Sequence, residues 1–303
     1  MIAFSRNEVL NDCVDKALSG ESKNGDTTVK GRALQIITNP VYSNGEKNGA
    51  ICLIIDVSAK KKAEKMRREF TANVTHELKT PLTSISGYAE IIASGLVKPD
   101  DIPNFANKIH KESGRLLSLI SDIMELSQLD EKFSDEEFAP VDLAGVAAEV
   151  AEDLRSNAEK HGITITVDTK TAVINGNRNQ IYELIYNLCD NAIRYNRENG
   201  SVKIITGDDN EHPFVKVADT GIGIAPEEQG KVFERFYRVD KSRSKARGGT
   251  GLGLAIVKHA LLHHSARLQI DSVLGKGSTF TSELGVGTTI TVTFPIQQDE
   301  PFA

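Results

Sequence analysis

The chain has 303 residues, 39% hydrophobic and 26% charged, with 42 acidic against 36 Lys and Arg residues for a formal charge of −6. This is the composition of an ordinary globular chain of two or three domains; it excludes a disordered or fibrous protein and offers no basic excess to neutralise nucleic-acid phosphates. Cys13, Cys52 and Cys189 are scattered and form no C-x-x-C, which argues against a disulfide framework or a zinc site.

The longest apolar run, residues 50–55, falls well short of the ~20 residues of a membrane-spanning helix, and the first nine residues carry no signal-peptide pattern, so the sequence predicts a cytosolic chain. Val- and Ile-rich stretches at 29–37 and 50–57 predict two strands, and the intervening N-P-V-Y-S-N-G-E-K-N-G predicts a turn between them. The segment before Ser58 is too short for a complete domain with its own core, which leaves a remnant of one or a packed appendage.

From Ala59, K-K-K-A-E-K-M-R-R-E opens a long helix whose basic residues alternate with Glu64 and Glu69, as on a solvated face. Apolar residues from Phe70 through Val74, Leu78, Leu82 and Ile85 to Ile92 form one helical stripe. After a loop around Gly95, Pro99 and Pro103, a second stripe runs from Ile102 through Phe105, Ile109 and Leu116 to Leu126. Two helices with one stripe each enclose no core, so pairing with a second copy into four helices, hence a homodimer, is expected. Beyond residue 130, helical patterns at 143–154 and 181–195 alternate with strand patterns at 163–167, 202–205 and 214–218, and further strands end near Phe294. Residues 272–281, S-V-L-G-K-G-S-T-F-T, and 282–291, S-E-L-G-V-G-T-T-I-T, match at six of ten positions. One copy of this tandem repeat is expected to complete the sheet and the other to form an extra loop or edge hairpin.

Several residues suit phosphate chemistry. His76, in T-H-E-L-K-T-P-L, lies roughly 200° around the helix from Val74, facing solvent near Thr80 and Thr83. A carboxylate at Glu77 can hold its imidazole in the tautomer that leaves one nitrogen free to attack, and Pro81 is expected to bend the helix one turn further on. In N-L-C-D-N-A-I-R-Y-N, Asn187 and Asn191 share a helix face, with Asp190 beside them and Arg194 and Tyr195 in the next turn. Such amides either hold hydrated magnesium against phosphates or simply face solvent. In V-A-D-T-G-I-G-I, Asp219 ends a strand before Gly221 and Gly223, placing an acceptor suited to an adenine amino group beside backbone that a planar ligand can approach. The run G-G-T-G-L-G-L-A at 248–255 presents backbone N–H groups to phosphate at a helix start, but it has neither a dinucleotide βαβ context nor a P-loop lysine. V-F-E-R-F-Y-R supplies Phe233 and Phe236 as core residues and Arg238 within reach of a terminal phosphate, and the polar stretch 240–249 suits a closing lid.

In this order the segments resemble the boxes of the sensor histidine kinases of two-component signalling: T-H-E-L-K-T-P-L the phosphoacceptor box, N-L-C-D-N-A the N box, D-T-G-I-G the first glycine box, V-F-E-R-F the F box and G-G-T-G-L-G-L the second glycine box. The resemblance implies an α+β chain: residues 1–58 a partial PAS-like segment, 59–133 a dimerising phosphotransfer hairpin that forms a four-helix bundle in the dimer, and 134–303 an α/β sandwich of GHKL ATPase type. It implies ATP and Mg2+ as cofactors, phosphorylation of His76 with Glu77 as base, and a role for Thr80 in positioning water when the partner loses its phosphate. Asn187 and Asn191 would hold magnesium (Asn191 above all) and phosphates, with Asp190, Arg194 and Tyr195 close by. Asp219, Gly221 and Gly223 would receive adenine, and Arg238 with Gly249, Thr250, Gly251, Leu252 and Gly253 would embrace the triphosphate. The partner would be the receiver domain of a response regulator, with no nucleic acid. The front of the PAS fold and a transmembrane sensor segment are missing from the pattern, so attachment to the inner membrane follows only if such a segment precedes this sequence. A reading from another class is an ATP-binding conformational scaffold without phosphotransfer; a purely structural coiled coil leaves the glycine boxes unexplained.

Overall fold

The computed structural model describes residues 6–131, 138–209, 212–239, 249–284 and 289–293. Their contacts divide the chain into two compact units, Met1–Glu77 and Leu78–Ala303. In the first, helix α1 (Glu8–Ser19) packs on an antiparallel sheet of order β1-β2-β3, made of β1 (Lys23–Val29), β2 (Arg32–Ser43) and β3 (Glu46–Asp56). Asn7 starts the helix by accepting the Leu10 N–H at 3.1 Å. Leu34, Ile36 and Thr38 alternate inward along β2 and are buried, as are Cys13 and Ala17 of α1. Gly25 allows the close approach, since a Cβ there would lie 2.6 Å from Val9 Cγ1.

The strand expected at 29–37 is divided between two strands by a tight turn at Lys30 and Gly31, with φ of 49° and 78°. The long turn expected at 39–49 is mostly strand: β2 and β3 run up to Asn44 and Gly45, with φ of 52° and 85°, the paired positive values of a type I′ hairpin turn. Pro40 is tolerated because β1 ends its pairing at Lys23↔Thr38, so past Thr38 β2 has only β3 as a neighbour and a missing N–H on the other side breaks no ladder.

Helix α2 (Ser58–Ala93) begins where the Ser58 N–H donates to Asp56 Oδ1 at 2.9 Å; the Ser58 hydroxyl, followed by this N–H, holds the Asp56 carboxyl below the usual carboxylate range. It continues through the buried Pro81 without a break in the helix. A 3₁₀ turn, Pro99–Asp101, leads into α3 (Ile102–Glu131), and Tyr88 of α2 meets Phe105 of α3 edge-on at 5.7 Å.

The rest of the second unit comprises β4 (Ala139–Asp142), α4 (Leu143–Lys160), β5 (Thr164–Thr169), β6 (Val173–Gly176), α5 (Arg178–Arg194), β7 (Ser201–Asp209), β8 (His212–Asp219), α6 (Pro226–Gln229), α7 (Gly253–His263), β9 (Arg267–Val273), β10 (Gly277–Glu283) and β11 (Thr289–Thr293). Six strands form a mixed sheet of order β11-β9-β10-β8-β7-β5, and β4 pairs with β6 separately. Apolar stripes of α4 (Val146, Val150, Leu154), α5 (Ile181, Leu184, Leu188) and α7 (Val257, Leu261) form one core with inward-facing Val202, Ile204, Val215, Val217, Leu268 and Ile270. Burial of each such Leu or Ile contributes about 2 kcal/mol, which fixes the helices on the sheet. Asp142 starts α4 by accepting from the Ala144 and Gly145 N–H groups at 3.1 and 3.2 Å.

The first copy of the tandem repeat supplies the end of β9, the following turn and most of β10. The second copy, whose residues 285–288 lie outside the described residues, carries the chain to β11. This strand pairs in parallel with β9, Thr289 opposite Arg267, as an added edge strand rather than a hairpin, because the chain crosses to the far side of β9.

Helix α3 packs on the start of α7. Leu119, Ile123 and Leu126, with Leu78 of α2, form an apolar cluster with Phe236, Leu252, Ala255 and Ile256. At its margin Asp122 Oδ2 accepts from Thr250 Oγ1 at 2.6 Å. Glu125 sits beside Glu183 of α5; burial, followed by the neighbouring Glu183 and Asp122 charges, pushes its carboxyl up from 4.5 to about 8. Burial raises the Glu183 and Asp122 carboxyls as well. A raised acid favours the folded state while protonated, so this contribution is full below about pH 4.5 and is lost as pH rises toward about 8. We expect Glu125→Gln to match the wild type in urea midpoint near pH 4.5 and to exceed it above pH 8; an equal gap at both ends would defeat the assignment. Asp142→Ala should cost about 1 kcal/mol through loss of the α4 cap, read as a lower urea midpoint at unchanged slope.

Candidate functional site

The amphipathy of α5 builds the site. Ile181, Leu184, Ile185, Leu188 and Ala192 face the core, so Glu183, Asn187, Asp190, Asn191 and Arg194 fall on the opposite side. That polar side forms one wall of a cleft of about 510 Å³.

Of the residues singled out in the sequence, Asn187, Asp190, Asn191, Arg194 and Tyr195 line the cleft from α5 and its C-cap. Asp219 and Gly223 line it from the end of β8, Arg238 from the F box, and Gly249, Thr250, Gly251 and Gly253 from the glycine loop. Gly221 and Leu252 are not lining residues. The Gly221 N–H donates to Asp219 Oδ1 at 2.8 Å, and a Cβ there would lie 2.5 Å from the Tyr195 carbonyl, so this glycine lets the box close on the end of α5. Leu252 is fully buried in the apolar cluster against α3, and its N–H donates to Thr250 Oγ1 at 3.3 Å. Residues 240–248, where a lid was expected, lie outside the described residues.

Asp219 Oδ1 accepts two backbone donors, Gly221 N and Ser278 N, at 2.8 and 3.2 Å. Among the described residues none donates to Oδ2. Burial raises the Asp219 carboxyl and these two N–H groups oppose the rise. Ile222, Ile224, Val232, Leu274 and Phe280 supply apolar walls nearby, a setting suited to a flat ring with an amino group.

At the other end, Arg194 donates to Asp190 Oδ2 at 2.6 Å. Asn187 Nδ2 donates to the Glu183 carbonyl and to Glu183 Oε2 at 2.9 and 3.3 Å, which turns its amide oxygen the other way. A Cβ at Gly253 would lie 2.6 Å from that oxygen, and Gly251 holds a φ of 77°. The left-handed Gly251 and the bare Cα of Gly253 let the loop backbone approach the Asn187 amide oxygen closely. Neutral amides beside such a loop fit a magnesium ion that keeps most of its water.

The sequence reading missed Glu183, although its position four residues before Asn187 on one face was a usable signal. It also missed Ser118 and Asp122, which reach the cleft from α3 with no local motif to mark them.

His76 is on α2 in the first unit, its side chain 78% exposed, with Nδ1 3.7 Å from Glu77 Oε1. Thr80, one turn on, is half-buried, and Thr83 donates back to the Lys79 carbonyl at 2.8 Å.

Residues 66–132 match the His Kinase A (phospho-acceptor) domain, and residues 176–298 match the family of histidine kinase-, DNA gyrase B- and HSP90-like ATPases. The chain is 38% identical over 245 residues to the phosphate regulon sensor protein PhoR of Pseudomonas aeruginosa, covering 80% of this chain and 54% of that one. It is 39% identical over 242 residues to the sensor-like histidine kinase SenX3 of Mycolicibacterium smegmatis, covering 80% and 63%. Among solved structures it is similar to the Acinetobacter baumannii histidine kinase AdeS, with a TM-score of 0.57, 25% identity and coverage of 69% of this chain and 96% of that one. The chain thus spans little more than half the length of these two curated relatives. No described helix is long and apolar enough to cross a membrane. A phosphoacceptor helical hairpin followed by a GHKL-type ATPase domain, each matched in its own right, makes this chain a member of the two-component sensor histidine kinases.

Proposed function

We propose that the chain is an ATP-dependent protein-histidine kinase that phosphorylates its own His76 and passes the phosphoryl group to an aspartate on the receiver domain of a response regulator, with removal of that phosphate as a further activity. The observation that carries this reading is the presence, in one chain, of an exposed imidazole paired with a carboxylate at 3.7 Å and a glycine-lined cleft holding a half-buried Asp219. Asp219 Oδ2 accepts from the adenine amino group, while Arg194, Arg238, Thr250 and the glycine loop surround the triphosphate. Asn187 and Asn191 hold Mg2+, whose chemistry there is neutralisation of phosphate charge.

Because Nδ1 of His76 faces Glu77, Nε2 is the nucleophile. Nε2 bonds to the γ-phosphorus, the bond to the β–γ bridging oxygen breaks, ADP leaves, and the Nδ1 proton passes to the Glu77 carboxylate. Thr80 orients water for the reverse task on the regulator. The protein's share is positioning and charge compensation.

Leu82, Leu117, Ile120 and Met124 of the hairpin remain exposed in the single chain, Leu117 to 68%. This supports a homodimer in which two hairpins make a four-helix bundle. The helix and three strands before α2 suit the closing part of a PAS-like segment, and a cytoplasmic place follows for the whole, alone or as the inner part of a membrane sensor.

With γ-labelled ATP, the wild type should acquire acid-labile, alkali-stable label, and His76→Gln should lose it by more than about a hundredfold with ATP affinity retained. Binding of ATP without label, with regulator supplied, would favour the conformational scaffold instead. Asn191→Ala should weaken magnesium-dependent ATP binding about tenfold or more and leave His76 competent to accept phosphate from a phosphorylated regulator.

A further inference from the structure

A knot of buried hydroxyls joins the β9–β10 hairpin to the first glycine box. Leu268, Ile270 and Ser272 face inward along β9. The first two are fully buried and apolar, yet at the position nearest the Asp219 carboxylate the same face turns to a serine that is 3% exposed. Ser272 Oγ accepts from the Ile224 N–H at 2.8 Å and lies 3.2 Å from the Gly277 carbonyl and 2.8 Å from Ser278 Oγ. When its single proton goes to Gly277, Ser278 is the donor between the two hydroxyls.

The knot grips both sides of the cleft's base end. Gln229, fully buried, donates through Nε2 to the Ile224 carbonyl at 3.0 Å and to the Ser272 carbonyl at 3.4 Å. Ile224 is thereby held at its N–H and at its carbonyl. The Gly275 N–H donates to the Ile222 carbonyl at 2.7 Å, and a Cβ at Gly223 would lie 2.1 Å from the Val273 carbonyl. On the other side, the Ser278 N–H is one of the two donors to Asp219 Oδ1. Ile222, Gly223, Ile224, Asp219 and Ser278 all line the cleft; Ser272 stands behind them and lines nothing.

We propose that Ser272 is a positioning residue for base recognition: its hydroxyl, acting through Ser278 and Ile224, fixes the Asp219 carboxylate as a hydrogen-bond acceptor and so sets a preference for adenine over guanine nucleotides. The inference rests on the reading of the cleft as a nucleotide site. The physical reason is the polarity of the contact. An ionised carboxylate accepts from the adenine amino group and repels the guanine carbonyl, whereas a protonated carboxyl can donate to that carbonyl. Burial already favours the protonated form of Asp219, and the Gly221 and Ser278 N–H groups oppose it. Loosening Ser278 weakens one of the two N–H bonds that oppose it. A buried hydroxyl network is kept in order only when each member is satisfied, so deletion of one hydroxyl affects both Ile224 and Ser278.

The test measures magnesium-ADP and magnesium-GDP affinities of the full chain by calorimetry for the wild type, Ser272→Ala, Ser278→Ala and the double variant, from pH 5 to 8. The expected result is a fall of about tenfold in the ADP-over-GDP preference in each single variant, no further fall in the double variant, and a loss of preference that begins at higher pH than in the wild type. A merely structural role would lower both affinities together and leave their ratio and its pH profile unchanged, which would overturn the inference. If circular dichroism shows Ser272→Ala unfolded, Ser278→Ala decides by the same ratio. A wild type that binds neither nucleotide would sink the reading of the cleft and this inference with it; a wild type that prefers ADP alongside a Ser272→Ala variant that still does would sink the inference alone.

Discussion

Everything at the cleft depends on a division of labour around α5. One side of that helix is committed to the sheet by residues that are almost completely excluded from water, and only this commitment lets a row of Glu, Asn, Asp and Arg stand on the other side at fixed spacing. Asparagine is an indifferent helix former, so Asn187 and Asn191 stay helical because the buried stripe holds the backbone for them. The glycine loop then closes on this row, so near that a Cβ on Gly253 would lie 2.6 Å from the Asn187 amide oxygen.

The same economy governs the base end. A carboxylate in an apolar pocket is costly unless its oxygens are satisfied, and here one oxygen takes two backbone donors while the other is left for a ligand. The donors come from segments nearly sixty residues apart, so the acceptor is defined by tertiary structure and not by the box in which it is written. Phe236, with a φ of 64°, is held by its N–H bond to the Gly251 carbonyl, which ties the F box to the second glycine box at the point where α3 packs.

How much of this was legible in the sequence follows from where the information lies. Periodicity marked α5, β7 and β8 closely because each buries one continuous face, and the boxes named most of the cleft's lining because chemistry there needs particular side chains at short spacing. The short strands β4 and β6, four residues each, offered too little alternation to register. In the first unit, β1 was missed because K-N-G-D-T-T-V is polar, and its pairing with β2 depends on a two-residue turn whose lysine takes a positive φ. Asp122 could not be seen at all: its partner Thr250 is 128 positions away, and no local pattern distinguishes an aspartate that will meet a loop from one that faces water.

The length of the tandem repeat bears on how the sheet could grow. Strand residues alternate sides with a period of two, and a unit of ten is even, so the extra strand enters in phase with the pleat of its neighbours. Copying nine or eleven residues would shift that phase by one position. A duplication of even length at this spot therefore widens the sheet by one strand and keeps its alternation, which an odd length would not.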